Sequence, residues 1–313
     1  MLKALFSILV FPGVMFLAVF GFIAEFYDRK LYARLQNRVG PPWFQPWADF
    51  IKLVGKESLI PEEANPGVFK FMPVLALTSV ASAFLYIPLW RQEALFSFNG
   101  DIIVVVYLLT IPTLTLFLGG WYSRSIYSTL GAMRSLTQLF AYEIPLLASI
   151  LAAALLANTW SLGEITVFYS RHPWLWLINL PGFIIAIITL LGKLQKVPFD
   201  IPEAETEIVA GTLTEYSGKF LGLFRLMTDA EMVVCAALLS AVFLPFGLNL
   251  TAPAGFVLFL LKIFAIISVL SLLRTVFARM RLDQMINFCW KFLAPCAMAQ
   301  VLVDLIVKGV IAR

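Results

Sequence analysis

Carboxylates crowd the stretch from Lys193 to Glu231. Asp200, Glu203, Glu205, Glu207 and Glu215 lie between two apolar runs, and Asp229 and Glu231 stand where the second run begins. Glu143 lies at the start of another apolar run, after Gln138-Leu139-Phe140-Ala141-Tyr142, and Lys262 lies inside a further one. A charged side chain at mid-membrane depth costs about 2.5–3.5 kcal/mol on insertion scales, so such groups tend to be functional. The chemistry available to them is proton or cation transfer: crowded carboxylates cannot all ionise cheaply, which predicts that some titrate near the operating pH. Two plainer readings stand beside it. The loop carboxylates could be a solvated cluster balanced by Lys193, Lys196, Lys219 and Arg225, and Glu143, Glu231 and Lys262 could be static partners that fix helix register.

The elements that must hold these groups are membrane helices. The chain has 313 residues, 61% hydrophobic and 13% charged, against roughly 45–50% and 25% in soluble proteins. Apolar runs at 4–24, 71–90, 102–122, 139–158, 174–192, 226–246, 254–273 and 286–307 each approach the roughly 20 residues that cross the hydrocarbon. The expected fold is an all-α integral membrane protein of eight spans, forming a single polytopic domain over 1–313. The first run is longer than a signal-peptide core and lacks a small-x-small cleavage site before Asp28-Arg29-Lys30, so it is expected to stay as a helix. Neither inverted halves nor an internal repeat is evident, which weighs against an ordinary secondary transporter.

Seventeen of the 23 Lys and Arg residues fall in 28–70, 123–138, 193–225 and 274–291. The positive-inside rule places those loops in the cytoplasm and both termini outside, so the acidic stretch is expected to face the cytoplasm. The net charge of +4 is spread over short loops rather than gathered into a stripe, which argues against a nucleic-acid partner. Cys235, Cys289 and Cys296 lack C-x-x-C spacing and His172 is the single histidine. With no G-x-G-x-x-G motif either, the chain is expected to bind no metal or nucleotide itself.

Between the first two spans, Asn37-Arg38-Val39-Gly40-Pro41-Pro42 forms a turn signal. After it, Trp43, Trp47, Phe50, Ile51 and Val54 repeat at helical spacing while Asp49, Lys52 and Lys56 fall elsewhere. That pattern predicts an interfacial amphipathic helix, either a lipid anchor or one wall of a site at the membrane surface. Glu25 and Arg29 are an i,i+4 pair at the end of the first span, suited to a helix-end ion pair or to a site. Pro202 suits a first helical turn, on which Glu203 and Glu207 would share a face and Glu205 would point away. Asp304 reads as a boundary residue near the outer face.

Several segments carry a family resemblance. Arg38-Val39-Gly40-Pro41, Gln45-Pro46-Trp47-Ala48-Asp49-Phe50-Ile51-Lys52-Leu53, Gly131-Ala132-Met133-Arg134, Gln138 to Pro145, Pro198-Phe199-Asp200-Ile201-Pro202-Glu203-Ala204-Glu205 and Glu215-Tyr216-Ser217-Gly218 resemble the complex I subunit 1 (H-subunit) family. That family includes the matching subunit of energy-converting membrane-bound hydrogenases and sulfur reductases. The resemblance implies a non-redox membrane anchor that docks a hydrogenase-like large subunit and an iron–sulfur small subunit through its cytoplasmic loops, beside antiporter-like and small membrane subunits. Iron–sulfur clusters, and in some members NiFe, would belong to those partners. It further implies that Asp200, Glu203, Glu205 and Glu207 line the loop beside the redox module, that Glu215 follows, and that Glu143 and Glu231 begin an ion channel; Asp229 and Lys262 are read from the residues beside them as further charges of the ion path. Glu25, Arg29, Arg38, Trp43, Trp47, Asp49 and Arg134 would wall a chamber or meet the redox module.

In quinone-reducing members a longer segment with a second Gly-Pro precedes the Gln-Pro-x-Ala-Asp run. Here only Pro42-Trp43-Phe44 intervenes. The shorter form looks like the hydrogenase and sulfur-reductase branch and leaves quinone binding open. The expected function is coupling of electron transfer in a ferredoxin-linked complex to H⁺ or Na⁺ translocation. The alternatives are the quinone chamber of an NADH or ferredoxin:quinone oxidoreductase, a standalone solute carrier and a purely structural anchor.

Overall fold

The computed structural model describes residues 2–90, 94–247 and 251–311, with the side chains of 2–5, 205, 206, 252 and 311 outside the description. Every regular element among the described residues is helical. Eight helical stretches are long and apolar enough to cross a membrane: Phe6–Leu35, Pro66–Leu85, Asp101–Tyr122, Ile126–Ala157, Leu175–Lys193, Gly218–Phe243, Pro253–Val276 and Leu282–Val310.

In chain order, α1 (Leu2–Leu9) and α2 (Val14–Leu35) make the first span. The surface helix α3 (Gln45–Gly55) follows, then α4 (Pro66–Leu85), α5 (Asp101–Tyr122) and α6 (Ile126–Ala157). A short α7 (Leu162–Arg171) precedes α8 (Leu175–Lys193). One helical turn, α9 (Glu205–Ile208), and the 3₁₀ turn Gly211–Leu213 interrupt the next loop. Then come α10 (Gly218–Phe243) and α11 (Ala252–Val276). The last span joins α12 (Leu282–Phe288) to α13 (Ala294–Ile311) through a π turn at Cys289–Leu293. Pro295 just beyond that turn lacks an N–H, and a widened turn accommodates the missing ladder bond.

The spans exceed their apolar cores on one side. Helix α6 starts more than four turns ahead of Glu143, and α10 starts about three turns ahead of Asp229 and Glu231. Lys219 and Arg225 break the hydropathy of that first part of α10 without breaking its helix, so Asp229 and Glu231 lie well inside the helix rather than at its mouth.

Helix α10 is the hub, packing against α2, α4, α8 and α11 and against the surface helix α3. Its apolar stretch is 89% buried, while the first and last spans are 28% buried and turn most of their surface outward. Small residues let α10 come close: Gly21 of α2 faces the backbone of Ala230, where a methyl group would stand 3.3 Å from the amide nitrogen. Pro73 in α4 leaves the carbonyl of Phe69 without its helical donor. The Tyr216 hydroxyl donates to that carbonyl at 3.3 Å, and its ring stacks on Phe69 at 4.0 Å.

Three loops meet on one side of the bundle. Ser58 Oγ accepts from the Lys219 amide and Ser217 Oγ accepts from the Leu59 amide. The Met280 amide donates to the Pro198 carbonyl at 3.0 Å. These contacts bring the loop after α3, the loop after α8 and the loop after α11 together over α10.

Candidate functional site

A cavity of about 700 Å³ opens beneath those loops. Six carboxylates and seven cations line it, supplied by α2, α3, α8, α10, α11 and the connecting loops. On α2, Glu25 holds the Arg29 guanidinium at 2.5 Å, and Arg29 reaches across to Asp49 of α3 at 3.3 Å. Gln45 donates to the other oxygen of Asp49 at 2.8 Å. The Glu25–Arg29 pair is therefore more than a helix-end pair: it ties the surface helix to the bundle.

Helix α3 begins at Gln45 with Pro46 in its first turn. Trp47 and Phe50 pack on Phe22 of α2 at 4.7 and 5.3 Å, and Phe50 and Leu53 face the cavity. The expected apolar stripe is split. Ile51 and Val54 point outward, and Trp43 precedes the helix and is 71% exposed. The reason is that α10 and α2 flank a single narrow edge of α3, too small to cover five large side chains.

The cavity narrows toward Lys193 and Glu231, each 4% exposed. The Lys193 ammonium lies 3.5 Å from Glu231 and donates to the Leu109 carbonyl of α5 at 2.5 Å. Its Nζ also stands 5.8 Å above the ring of Tyr142, whose hydroxyl pairs with Thr113 at 3.0 Å. Lys193 lines a second, buried cavity of about 20 Å³ together with Glu143, Cys235 and apolar side chains. That volume suits roughly one water molecule. Among the described residues, Glu143 Oε2 and Glu231 Oε1 are buried without a hydrogen-bond partner.

Asp229 and Glu203 line the large cavity with Glu25 and Arg29. Asp200 does so too, held by the Arg279 guanidinium at 3.1 Å. The segment Ile201–Ala204 is not a helix. Phe199, Ile201, Ala204 and Ile208 are all buried, and burying them in a non-helical path overrides the first-turn preference of Pro202. Gly211, at φ +56°, sits so close to the Pro202 carbonyl that a Cβ would overlap it, so the turn needs a residue without a side chain.

Consequently Glu203 and Glu207 do not share a face. Glu203 turns into the cavity, while Glu207 lies outside it and accepts from Arg134 of α6 at 2.5 Å. The hydrogen bond and charge of Arg134 lower the Glu207 carboxyl below its ordinary value, so Glu207 is not among the carboxylates raised by crowding. Burial raises the Tyr216 phenol.

Other expected site residues lie elsewhere. Glu215 is half-buried on the turn leading into α10, and the Glu205 side chain is outside the described residues. Arg38 is exposed in the loop before α3. Lys262 donates to the Phe246 carbonyl past the far end of α10 at 2.6 Å, and lines neither of these cavities. It holds the segment that follows α10 instead of joining Glu143 and Glu231. Asp304 is fully buried rather than at a boundary.

Two features escape sequence reasoning. Lys193 ends a long apolar run, and its place one turn before the acidic loop suggests a surface counter-charge; only packing reveals it between Glu231 and Glu143. Asp28 carries no motif, yet it is 1% exposed and holds Lys196 at 2.5 Å, Arg274 at 3.2 Å and Ser271 at 2.5 Å. The available signal was a lone acid beside Arg29 and Lys30.

A multi-pass helical bundle whose loops close over a charged cavity, with buried ionisable groups beneath it, defines an integral membrane protein with a charged chamber on one side. Comparison with known proteins makes the assignment definite. The NADH dehydrogenase family matches residues 6–305, and the chain belongs to it, as the H-subunit of complex I-like respiratory oxidoreductases. It is 34% identical to the NADH-quinone oxidoreductase H-subunit of Carboxydothermus hydrogenoformans, over 93% of this chain and 88% of that one. It is 36% identical to the protein of the same name from Dehalococcoides mccartyi, over 88% and 79%. It also superposes on a chain of the membrane-bound sulfane sulfur reductase, an archaeal respiratory membrane complex, with a TM-score of 0.87 and 28% identity, covering 97% of this chain and all of that one.

Proposed function

We propose that this protein anchors a peripheral redox module on its loop side and couples electron transfer there to H⁺ or Na⁺ movement through its own carboxylates. The observation that carries the reading is the succession of ionisable groups from the large cavity, through Glu231 and Lys193 in contact at 3.5 Å, to Glu143, which lines the small cavity with Lys193. A charged cavity open to the loops collects ions or protons. A buried carboxylate at its base passes charge on, and Glu143 is the first acceptor beyond. Asp200, Glu203, Asp229, Glu25 and Asp49 feed the cavity, Glu207 and Arg134 hold the loop, and Glu205 and Glu215 stand beside the docking face. Lys262 steadies the far end of α10.

Coupling requires that the 194–217 loop interact differently with the two redox states of its neighbour. The loop is suited to this, because Arg279, Arg134 and Gln138 hold it by discrete bonds: Gln138 donates to the Gly192 and Phe199 carbonyls at 2.6 and 2.8 Å. The partners implied are a hydrogenase-like large subunit, an iron–sulfur small subunit, and antiporter-like and small membrane subunits. The loops face the cytoplasm and the termini face outside, a reading supported by the distribution of basic residues.

Two observations favour a ferredoxin-linked hydrogen-evolving or sulfur-reducing complex. One is the short Pro42-Trp43-Phe44 link; the other is the superposition on the sulfane sulfur reductase chain. The second reading, a quinone chamber, is favoured by the names of the curated relatives. Against it, thirteen of the 23 residues lining the large cavity are charged, whereas an isoprenoid tail calls for a mostly apolar lining.

The test uses the whole purified complex in sealed vesicles, with ions moved per electron as the readout. Glu143→Gln is expected to abolish translocation while the complex stays assembled; parental stoichiometry in that variant would sink the coupling assignment. Turnover with reduced ferredoxin and protons or sulfur compounds, and none with added quinone, separates the first reading from the second.

A further inference from the structure

We infer that Lys193 is the moving charge that joins the two cavities: its ammonium leaves Glu231 for Glu143 when Glu231 takes up a proton, and returns when that proton is lost. The inference rests on the coupling reading above and assigns its central step to a residue that neither the motifs nor the comparisons single out.

Position is the first argument. Lys193 is the last residue of α8 and lines both cavities, along with α10 residues on either side of the divide. Glu231 faces the large one and Cys235, one turn on, the small one. Lys193 is therefore the residue that the linings of the two cavities share.

Its bonding is the second. A buried ammonium offers three donors. The fixed one goes to the Leu109 carbonyl at 2.5 Å, one turn before Pro112. The contact to Glu231 is long, at 3.5 Å, and Glu231 Oε1 has no hydrogen bond among the described residues. Across the small cavity, Glu143 Oε2 is also buried and unbonded. One cation thus stands between two carboxylates and fully satisfies neither.

The third argument is freedom to move. Lysine carries its charge on a flexible four-carbon stem, and the small cavity leaves space of about 20 Å³ on the Glu143 side. The charged and titratable groups around Nζ are Glu231 and Cys235 from α10 and Tyr142 and Glu143 from α6, with Leu109 of α5 contributing only its carbonyl.

The step balances. A proton from the large cavity binds the Glu231 carboxylate and gives a neutral acid. The ammonium, still protonated, then finds its stronger attraction at Glu143, and any proton on Glu143 is displaced away from the large cavity. Transfer of the Glu231 proton to the Glu143 carboxylate across the small cavity reloads Glu143, restores the Glu231 anion and draws the ammonium back, so that each cycle takes one proton from the large cavity and releases one beyond Glu143. One positive charge crosses the partition in each direction without a covalent change to lysine.

Lys193→Met in the complete complex is expected to abolish ion movement per electron in vesicles, and Lys193→Arg to keep part of it. Because Lys193→Met alone leaves Glu231 buried without a cation, assembly can fail for a merely structural reason. Lys193→Arg keeps a cation against Glu231 and with it the assembly, but the planar guanidinium cannot repeat the ammonium's movement; ion movement per electron below the parental value in that assembled variant is what a purely structural cation would not produce. Parental stoichiometry in either variant overturns the inference. If Glu143→Gln also translocates normally, the coupling reading falls with it; if Glu143→Gln is blocked and Lys193→Arg moves ions at the parental stoichiometry, only Lys193 is wrongly assigned.

Discussion

Asp28 on α2 and Lys196, beyond the end of α8, meet at 2.5 Å although 168 positions separate them. Arg274 and Ser271 of α11 close on the same carboxylate, and Arg274 lies 4.2 Å from the Tyr32 ring centroid. One buried acid thus pins α2, α11 and the root of the acidic loop. Asp28→Ala orphans two partly buried cations, and removing one partner of a buried pair costs about 3–5 kcal/mol. Lys196→Met should cost less, because Arg274 and Ser271 remain on Asp28. Thermal unfolding of the detergent-solubilised complex should rank the two variants in that order.

The Arg134–Glu207 bond makes the outer part of the acidic loop sensitive to acid. Arg134 lowers the Glu207 carboxyl from its ordinary value of 4.5. A lowered folded-state value means that docking is fully supported above about 4.5 and is lost as pH falls through the depressed value. Protease cleavage within 201–210 should therefore rise on acidification of the parent. Glu207→Gln should cleave at the same rate across that window. Glu207 is exposed at the surface, so added salt should weaken the contact in the parent as well.

Helix α6 touches the 3₁₀ turn Gly211–Leu213 backbone to backbone. At Gly131 a methyl group would stand 2.6 Å from the Thr212 nitrogen and 2.7 Å from the Gly211 carbonyl carbon. Ser128, one turn earlier, donates to the carbonyls on this same turn. Gly131→Ala should push the turn, and with it Glu203 and Asp200, away from the cavity. Overpacking of this kind costs about 1–3 kcal/mol. The expected result is an assembled complex with fewer ions moved per electron, although no charged residue has changed; unaltered coupling would show that the loop's position is immaterial.

Much of this architecture was legible because a bilayer leaves few choices. Apolar runs of span length must become helices, so all eight could be read from the residues, together with the side on which the basic loops gather. Less visible was where each helix begins. Lys219, Arg225 and Arg134 lie on helical turns that project past the apolar core, and hydropathy reads them as loop. Side-chain direction was least legible. Motif spacing placed Glu143, Glu231, Asp229 and Asp200 around the site, but it also put Glu203 with Glu207 and Lys262 with Glu143. Those groupings depended on the path of the 201–210 segment, fixed by burial of Ile201 and Ile208, and on which helix end lay within reach of Lys262. No local pattern encodes either.

Asp304 shows the same limit and supplies a discriminating test. It reads as a boundary acid but is fully buried, with Gln300 donating to Oδ1 at 3.0 Å and Oδ2 lacking a hydrogen bond among the described residues. Lys308, one turn further on, donates to Asn158 instead at 2.7 Å. The Gln300 amide also reaches the Ile178 carbonyl at 2.9 Å, so the cluster ties α13 to α8 through neutral groups. Asp304→Asn keeps the volume and an acceptor for Gln300, and it orphans no cation. It should be at least as stable as the parent. Glu231→Gln has the same isosteric change but strands Lys193 in a buried site, for a loss of about 3–5 kcal/mol. Melting temperatures of the two variants, measured in the same detergent, decide the matter: a large loss for Asp304→Asn would mean that its carboxylate bears a charge the surrounding helices depend on.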